Sequence, residues 1–123
     1  MMKKKESPLQ AKSEFFAKRI IKLYQYLTKT KHEHVISKQI LRSGTSIGAN
    51  IAESINAQSP ADFISKLSIA LKESGETEYW LKCLRDADYL NEKEFNSIYS
   101  DNIEIGKMLT SSIVTMKKNC GIL

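Results

Sequence analysis

Long apolar runs are missing from this chain. No window approaches the 18 or so apolar residues that a membrane-spanning helix needs. The longest uncharged stretch, Ser43 to Ala52, has ten residues and is rich in Ser, Gly, Thr and Asn. Period-2 alternation is also missing, which argues against strands. Cysteine occurs only as Cys83 and Cys120, too few and too far apart for a disulfide framework, so cytoplasm is the default compartment. Lys3, Lys4 and Lys5 run into Glu6-Ser7-Pro8 with no apolar segment behind them, which excludes a secretory signal. Only two histidines are present, as His32-Glu33-His34, a spacing that does not place two metal ligands on one helical face. No phosphate-cradling or dinucleotide-binding glycine pattern occurs. Neither a metal nor a cofactor is expected.

What is present fits one domain of 123 residues, with 41% apolar residues to fill a core. Proline appears only at positions 8 and 60, each directly after a serine. Ser-Pro is a helix start: the hydroxyl caps, and the missing N–H of proline costs nothing at the first helical position. Asp62 reinforces the start at Ser59-Pro60, and Asn91 with Glu94 reads as a capping box. Apolar residues then recur at steps of 3 and 4. The stripes are Phe16, Ile20, Leu23, Leu27; Ile36, Ile40, Ile47, Ile51, Ile55; Phe63, Leu67, Ala70, Ser74, Thr77, Leu81, Leu84; and Phe95, Ile98, Asn102, Ile105, Leu109, Ser112, Met116. Four helices are predicted, near 8–29, 35–57, 60–88 and 92–118. Both Thr30–Glu33 and Ser37 offer a cap for the second. Short connections favour antiparallel neighbours, so the fold class is all-α, an up-down-up-down antiparallel four-helix bundle. Residues 1–123 form this one domain, with 1–7 as a flexible basic tail.

The second helix concentrates small residues, Ser43, Gly44, Ser46, Gly48, Ala49 and Ala52, which makes physical sense if another backbone packs close. Ser65, Ser68, Ala70, Ser74 and Gly75 of the third helix offer a matching surface. A turn near Gln58 aligns residues whose numbers sum to about 116. Arg42 is therefore expected to pair with Glu73 or Glu76, partly buried, as a register device, and Asn50 to lie near Lys66. The only Trp, Trp80, sits beside the apolar stripe and would anchor the bundle or a subunit interface. Ile103, Met108, Ile113 and Val114 give the fourth helix apolar surface beside its main stripe. Gly44-Thr45-Ser46-Ile47-Gly48 matches the nucleophile-elbow pattern literally, but that chemistry needs a strand before the serine and a histidine after it. An amphipathic helix runs through here instead, and both histidines lie upstream. No catalytic role is assigned, and an enzyme is not expected.

Charge is uneven. Residues 1–34 carry nine Lys/Arg against three Glu, whereas 61–91 carry four Lys/Arg against six acids. Phe15, Phe16, Tyr24 and Tyr26 interleave with Lys18, Arg19, Lys22 and Lys29, the mixture that single-stranded nucleic acid binding uses. The competing reading puts Phe16 in the core, the tyrosines at its flank and the lysines in solvent. Lys3, Lys4, Lys5, Lys12, Lys18, Arg19 and Lys22 are the candidates for phosphate contact.

The run Gln39-Ile40-Leu41-Arg42-Ser43-Gly44-Thr45-Ser46-Ile47-Gly48-Ala49-Asn50-Ile51-Ala52-Glu53, with Asp62-Phe63, Leu67 through Ser74, Glu76 and Glu78-Tyr79-Trp80-Leu81, resembles the bacterial four-helix-bundle family of 23S rRNA intervening-sequence, or S23 ribosomal, proteins. That family is related to the accessory variability determinant of diversity-generating retroelements. The resemblance implies a ring-like homopentamer without enzymatic activity. For the retroelement relative it implies positive charge and binding to nucleic acid, RNA or DNA, and to a reverse transcriptase. Arg42, Ser46, Asn50, Glu53, Glu73, Glu76 and Trp80 carry the motif and read as structural. Gly48 stands where the family often has Pro, and Ser54 where Gly or Ala is common. The expected function is a basic, non-catalytic homo-oligomer that binds nucleic acid, RNA favoured, through phosphates. The alternative is a protein–protein adaptor or scaffold without physiological nucleic-acid binding.

Overall fold

The computed structural model describes residues 6–122, so Lys3, Lys4 and Lys5 lie outside the described residues. Four helices follow one another: α1 (Pro8–Lys29), α2 (Ile36–Ser54), α3 (Pro60–Asp86) and α4 (Glu92–Asn119). Each start has a local cause. Ser7 accepts from the N–H of Gln10 and Ser59 from that of Asp62, both with Pro as the next residue. Asn91 and Glu94 close a full capping box, their side chains exchanging bonds with each other's backbone at 2.8 and 2.9 Å. Helix α2 starts differently. The carboxylate of Glu33 accepts from the N–H groups of Val35, Ile36 and Ser37 at 3.2, 3.0 and 2.7 Å, while the Ser37 hydroxyl donates to the Glu33 carbonyl. Of the two predicted caps, Glu33 holds the helix and Ser37 lies inside it.

Two helices end earlier than the apolar pattern suggests. At the end of α2 the Ile55 N–H turns back to the Ala52 carbonyl and the Ser54 hydroxyl bonds the Ile51 carbonyl, which tightens and stops the helix. At the end of α3 Asp88 adopts a left-handed φ of 64°, and Tyr89 and Asp88 donate back to the Leu84 and Arg85 carbonyls. This is the Schellman closure usually given to glycine. Gly121, at φ 72°, provides it for α4.

The core is the predicted stripe, with one systematic departure. Phe16, Ile20, Leu27, Ile40, Ile47, Leu81, Leu84, Ile105 and Leu109 are fully buried. Toward the end of α4 Ile113 enters the core instead of Ser112 and Met116. An α-helix drifts by about 20° per heptad against a strict 3.5-residue repeat, so after two to three heptads a stripe counted in 4s and 3s lags the buried face by about half a residue, enough to favour the next position. Ile113 is thus core rather than part of an extra apolar surface. Ile55, at the α2 C-cap, leaves its stripe with the helix end and is exposed.

The small residues of α2 divide between two neighbours. A Cβ on Gly44 would lie 2.7 Å from Cγ1 of buried Ile20, and one on Gly48 would lie 3.4 Å from the Ser13 carbonyl oxygen, so the glycines admit α1. Toward α3, the Ser43 and Thr77 hydroxyls bond each other at 2.9 Å. The expected small surface on α3 does not assemble against α2: Ser65, Ser68 and Gly75 are exposed, and a Cβ on Gly75 would meet nothing. Ser74 instead faces α4, where Asn102, also buried, bonds its hydroxyl and its carbonyl, each at 2.9 Å. Helices α1 and α4 pack the least closely of the four neighbouring pairs.

Candidate nucleic-acid interface

The cations of α1 fall into two sets, those that a carboxylate of α4 answers and those that none does. Lys12 and Arg19, seven residues apart, lie on the flank that meets α4. Lys12 reaches Asp101 at 3.5 Å and Glu104 at 3.0 Å. Arg19 holds Asp101 at 2.6 Å and bonds both the carbonyl and the hydroxyl of Ser97. The hydrogen bond to Glu104 raises the Lys12 pKa despite partial burial, with Asp101 adding to it. Both residues are candidates for phosphate contact from sequence; in the structure they also tie α1 to α4, with carboxylates beside their charge. Nothing local to Lys12 or Arg19 marks them, since their partners lie 78 to 92 residues away. The signal is in α4, where Asp101 and Glu104 share a face at a spacing of three.

Lys18 and Lys22 form the other set. They are exposed, four residues apart, and no carboxylate among the described residues pairs with either. Lys93, in the first turn of α4, is likewise exposed and unpaired across the loose α1–α4 seam. Between them runs an open groove of about 900 Å³ with an apolar floor that includes Leu23, Tyr26 and Ile98. Phe16 is in the core and Tyr26 packs against it, as the plainer of the two readings of α1 has it. Phe15 does neither: it is 59% exposed on the groove wall, with Ile21 42% exposed nearby.

The motif residues of α2 and α3 form a separate, structural set. Arg42 binds Glu73 through Nη1 at 3.2 Å and Glu76 through Nη2. The pairing matches the expected register, although Arg42 is 49% exposed and only Glu73, at 17%, is well covered. Ser46 donates to the Arg42 carbonyl and Asn50 to the Ser46 carbonyl, so both side chains bond back along their own helix. Lys66 pairs with Glu53 at 3.4 Å. Ser46 sits in mid-helix, where no strained turn presents its hydroxyl. Trp80 packs on the core, edge-on to exposed Tyr79, with its Nε1 buried and without a hydrogen-bond partner. Both cysteines are free, and no three metal-ligating side chains gather among the described residues. No described helix is long and apolar enough to cross a membrane.

Three comparisons bear on this arrangement. The family model described as 23S rRNA-intervening sequence protein matches residues 5–111. A crystal structure from Bacteroides thetaiotaomicron VPI-5482, described as a protein with unknown function from the S23 ribosomal protein family, is 55% identical, with a TM-score of 0.85. The alignment covers 85% of this chain and 97% of that one. Among curated proteins none matches.

Proposed function

The chain belongs to the 23S rRNA-intervening sequence protein family, and from that premise we propose that it is a non-catalytic, homo-oligomeric nucleic-acid-binding protein of the cytoplasm, with RNA as its ligand. The observation that carries the reading is the pair Lys18 and Lys22, exposed and without a carboxylate partner, with Lys93 facing them across the seam. Solvated lysines on a rigid helix suit phosphate, which they attract as point charges with little regard for sequence. Lys3, Lys4 and Lys5 precede the same helix and add to its charge.

Assembly strengthens the case. The family resemblance implies a pentamer, and five copies of a chain of net charge +5 carry +25. Exposed Tyr79 beside Trp80 is the anchor proposed for contact between copies, since aromatic residues of this kind supply most of the energy of interfaces. Light scattering should give a mass near five chains. An RNA titration at several salt concentrations tests the binding: affinity should fall steeply with salt and weaken when Lys18 and Lys22 become Ala. Binding that ignores both salt and these lysines would refute the proposal.

A further inference from the structure

Resting on the RNA reading above, we infer that the α1–α4 groove selects single-stranded over duplex nucleic acid by taking an unstacked base against Phe15. The groove joins two surfaces that a duplex cannot use together. Its lysines answer phosphates: Lys18 and Lys22 stand about 6 Å apart along α1, four residues at 1.5 Å each, and Lys93 faces them from α4. Its wall and floor are apolar, with Phe15 59% and Ile21 42% exposed. In a duplex the base faces are stacked on one another and only the edges and backbone meet a protein. An unpaired strand offers a π-face, which stacks on an aromatic ring whatever the base.

The surroundings hold the groove open. Arg19 spans from α1 to Asp101 and Ser97 and fixes the spacing of the two helices. Glu94, the one carboxylate on the lining, is turned to the Asn91 N–H in the capping box. With Arg19 answered by Asp101, Lys18, Lys22 and Lys93 outweigh Glu94 and leave the groove net positive, which complements a polyanion laid along the seam.

The test measures binding of a labelled twelve-nucleotide oligouridine, and of an RNA duplex of the same length, to the full chain across a salt series. Wild type should bind the single strand at least tenfold more tightly. Phe15→Ala should weaken single-strand binding about 10- to 100-fold, the worth of one stacked base, and leave duplex binding and the salt slope unchanged. Phe15→Trp should keep the preference. Lys18→Ala with Lys22→Ala should weaken both ligands and lower the single-strand salt slope by about 0.7 per lysine. Thermal unfolding controls for folding, which an exposed Phe should not affect. Equal affinity for the two RNAs, or a Phe15→Ala variant with full single-strand affinity, overturns this inference alone. A Phe15→Ala variant of altered mass overturns it too, by assigning Phe15 to a contact between copies. So does an acidic amphipathic peptide that binds the groove at Phe15 and displaces no RNA. Absence of RNA binding altogether removes the parent reading with it.

Discussion

The two sides of α1 show opposite ways of joining helices. Toward α2 the contact is close and dry, with Gly44 and Gly48 letting Ile20 and the Ser13 backbone approach. Toward α4 the contact is wide and charged, held by Lys12 and Arg19 on Asp101 and open enough for a groove of about 900 Å³. Dry contact between small residues fixes helix spacing to within a methyl group, because interiors of this density do not give. Ion pairs on long side chains hold a seam without filling it, and exposed ones contribute little stability. The bundle's stability thus resides around α2, and its surface chemistry resides on the α1–α4 seam.

The strongest way to break that contrast is to fill the tight side. Gly44→Ala should destabilise by about 2 kcal/mol, the overpacking cost exceeding the gain of about 1 kcal/mol in helix propensity. Gly75→Ala, placed where a new Cβ meets nothing, should stabilise by up to about 1 kcal/mol. Urea midpoints of the two variants check the pair of signs. Ile20→Ala, which removes both γ carbons that the new Cβ would meet, should cost less in the Gly44→Ala background than in the wild type, a coupling that distant sites do not show.

Next comes the rotation of α2, set by Glu33. Burial pushes its carboxyl up, but the N–H groups of Ser37, Ile36 and Val35 outweigh burial, and the pKa lies below its ordinary 4.5. A depressed native pKa means that the stabilisation is complete above the unfolded value. It is lost as the pH falls from about 4.5 through the native value. Glu33→Gln should cost about 1 kcal/mol at pH 7, in the range of a lost cap. It should also flatten the fall in stability below that pH, which urea unfolding at pH 7 and pH 3 measures.

The wide side should respond in two directions at once. Asp101→Asn removes the charge that answers both Lys12 and Arg19. Stability should drop by about 1 kcal/mol or less, since the pairs are partly solvated, while RNA affinity rises as Arg19 is released to the seam, Lys12 keeping Glu104. If affinity falls instead, the seam's geometry matters more than its charge, and the contrast between the two sides weakens.

How much of this was legible in the sequence follows the range of each interaction. Caps at Ser7, Ser59 and Asn91 and the buried stripes are local, so spacing alone locates them. The α2–α3 register was also legible, because a short turn turns position into pairing: Arg42 meets Glu73 and Glu76 as the alignment requires. The partner of Gly44 was not. Successive helical residues point about 100° apart, so Ser43 can face α3 while Gly44 faces α1, and a list of small residues does not separate them. The α4 partners of Lys12 and Arg19 were not legible for a similar reason, since a cation that bonds a distant helix looks the same in sequence as one in water. The Glu33 cap was half seen, as one of two choices, because Glu seldom caps from that position.

The last test asks which part of the α2–α3 contact does the holding. Arg42, Glu73 and Glu76 are among the residues that carry the family resemblance, yet Arg42 is 49% exposed. Beneath them the Ser43–Thr77 hydroxyl pair is buried, and Thr77 also bonds the Glu73 carbonyl. A half-exposed clamp contributes on the order of 0.5 kcal/mol, so Arg42→Met should shift the unfolding midpoint only slightly. Its expected effect is on register: loss of the charge match permits α2 and α3 to slip relative to one another, which would show as a change in oligomer mass with helix content intact. Thr77→Val leaves the clamp and removes the buried bond, and should cost more stability than Arg42→Met with no change of mass. The opposite order would move the stabilising role outward to the ion pairs and make the α2 side of the bundle resemble the α4 side.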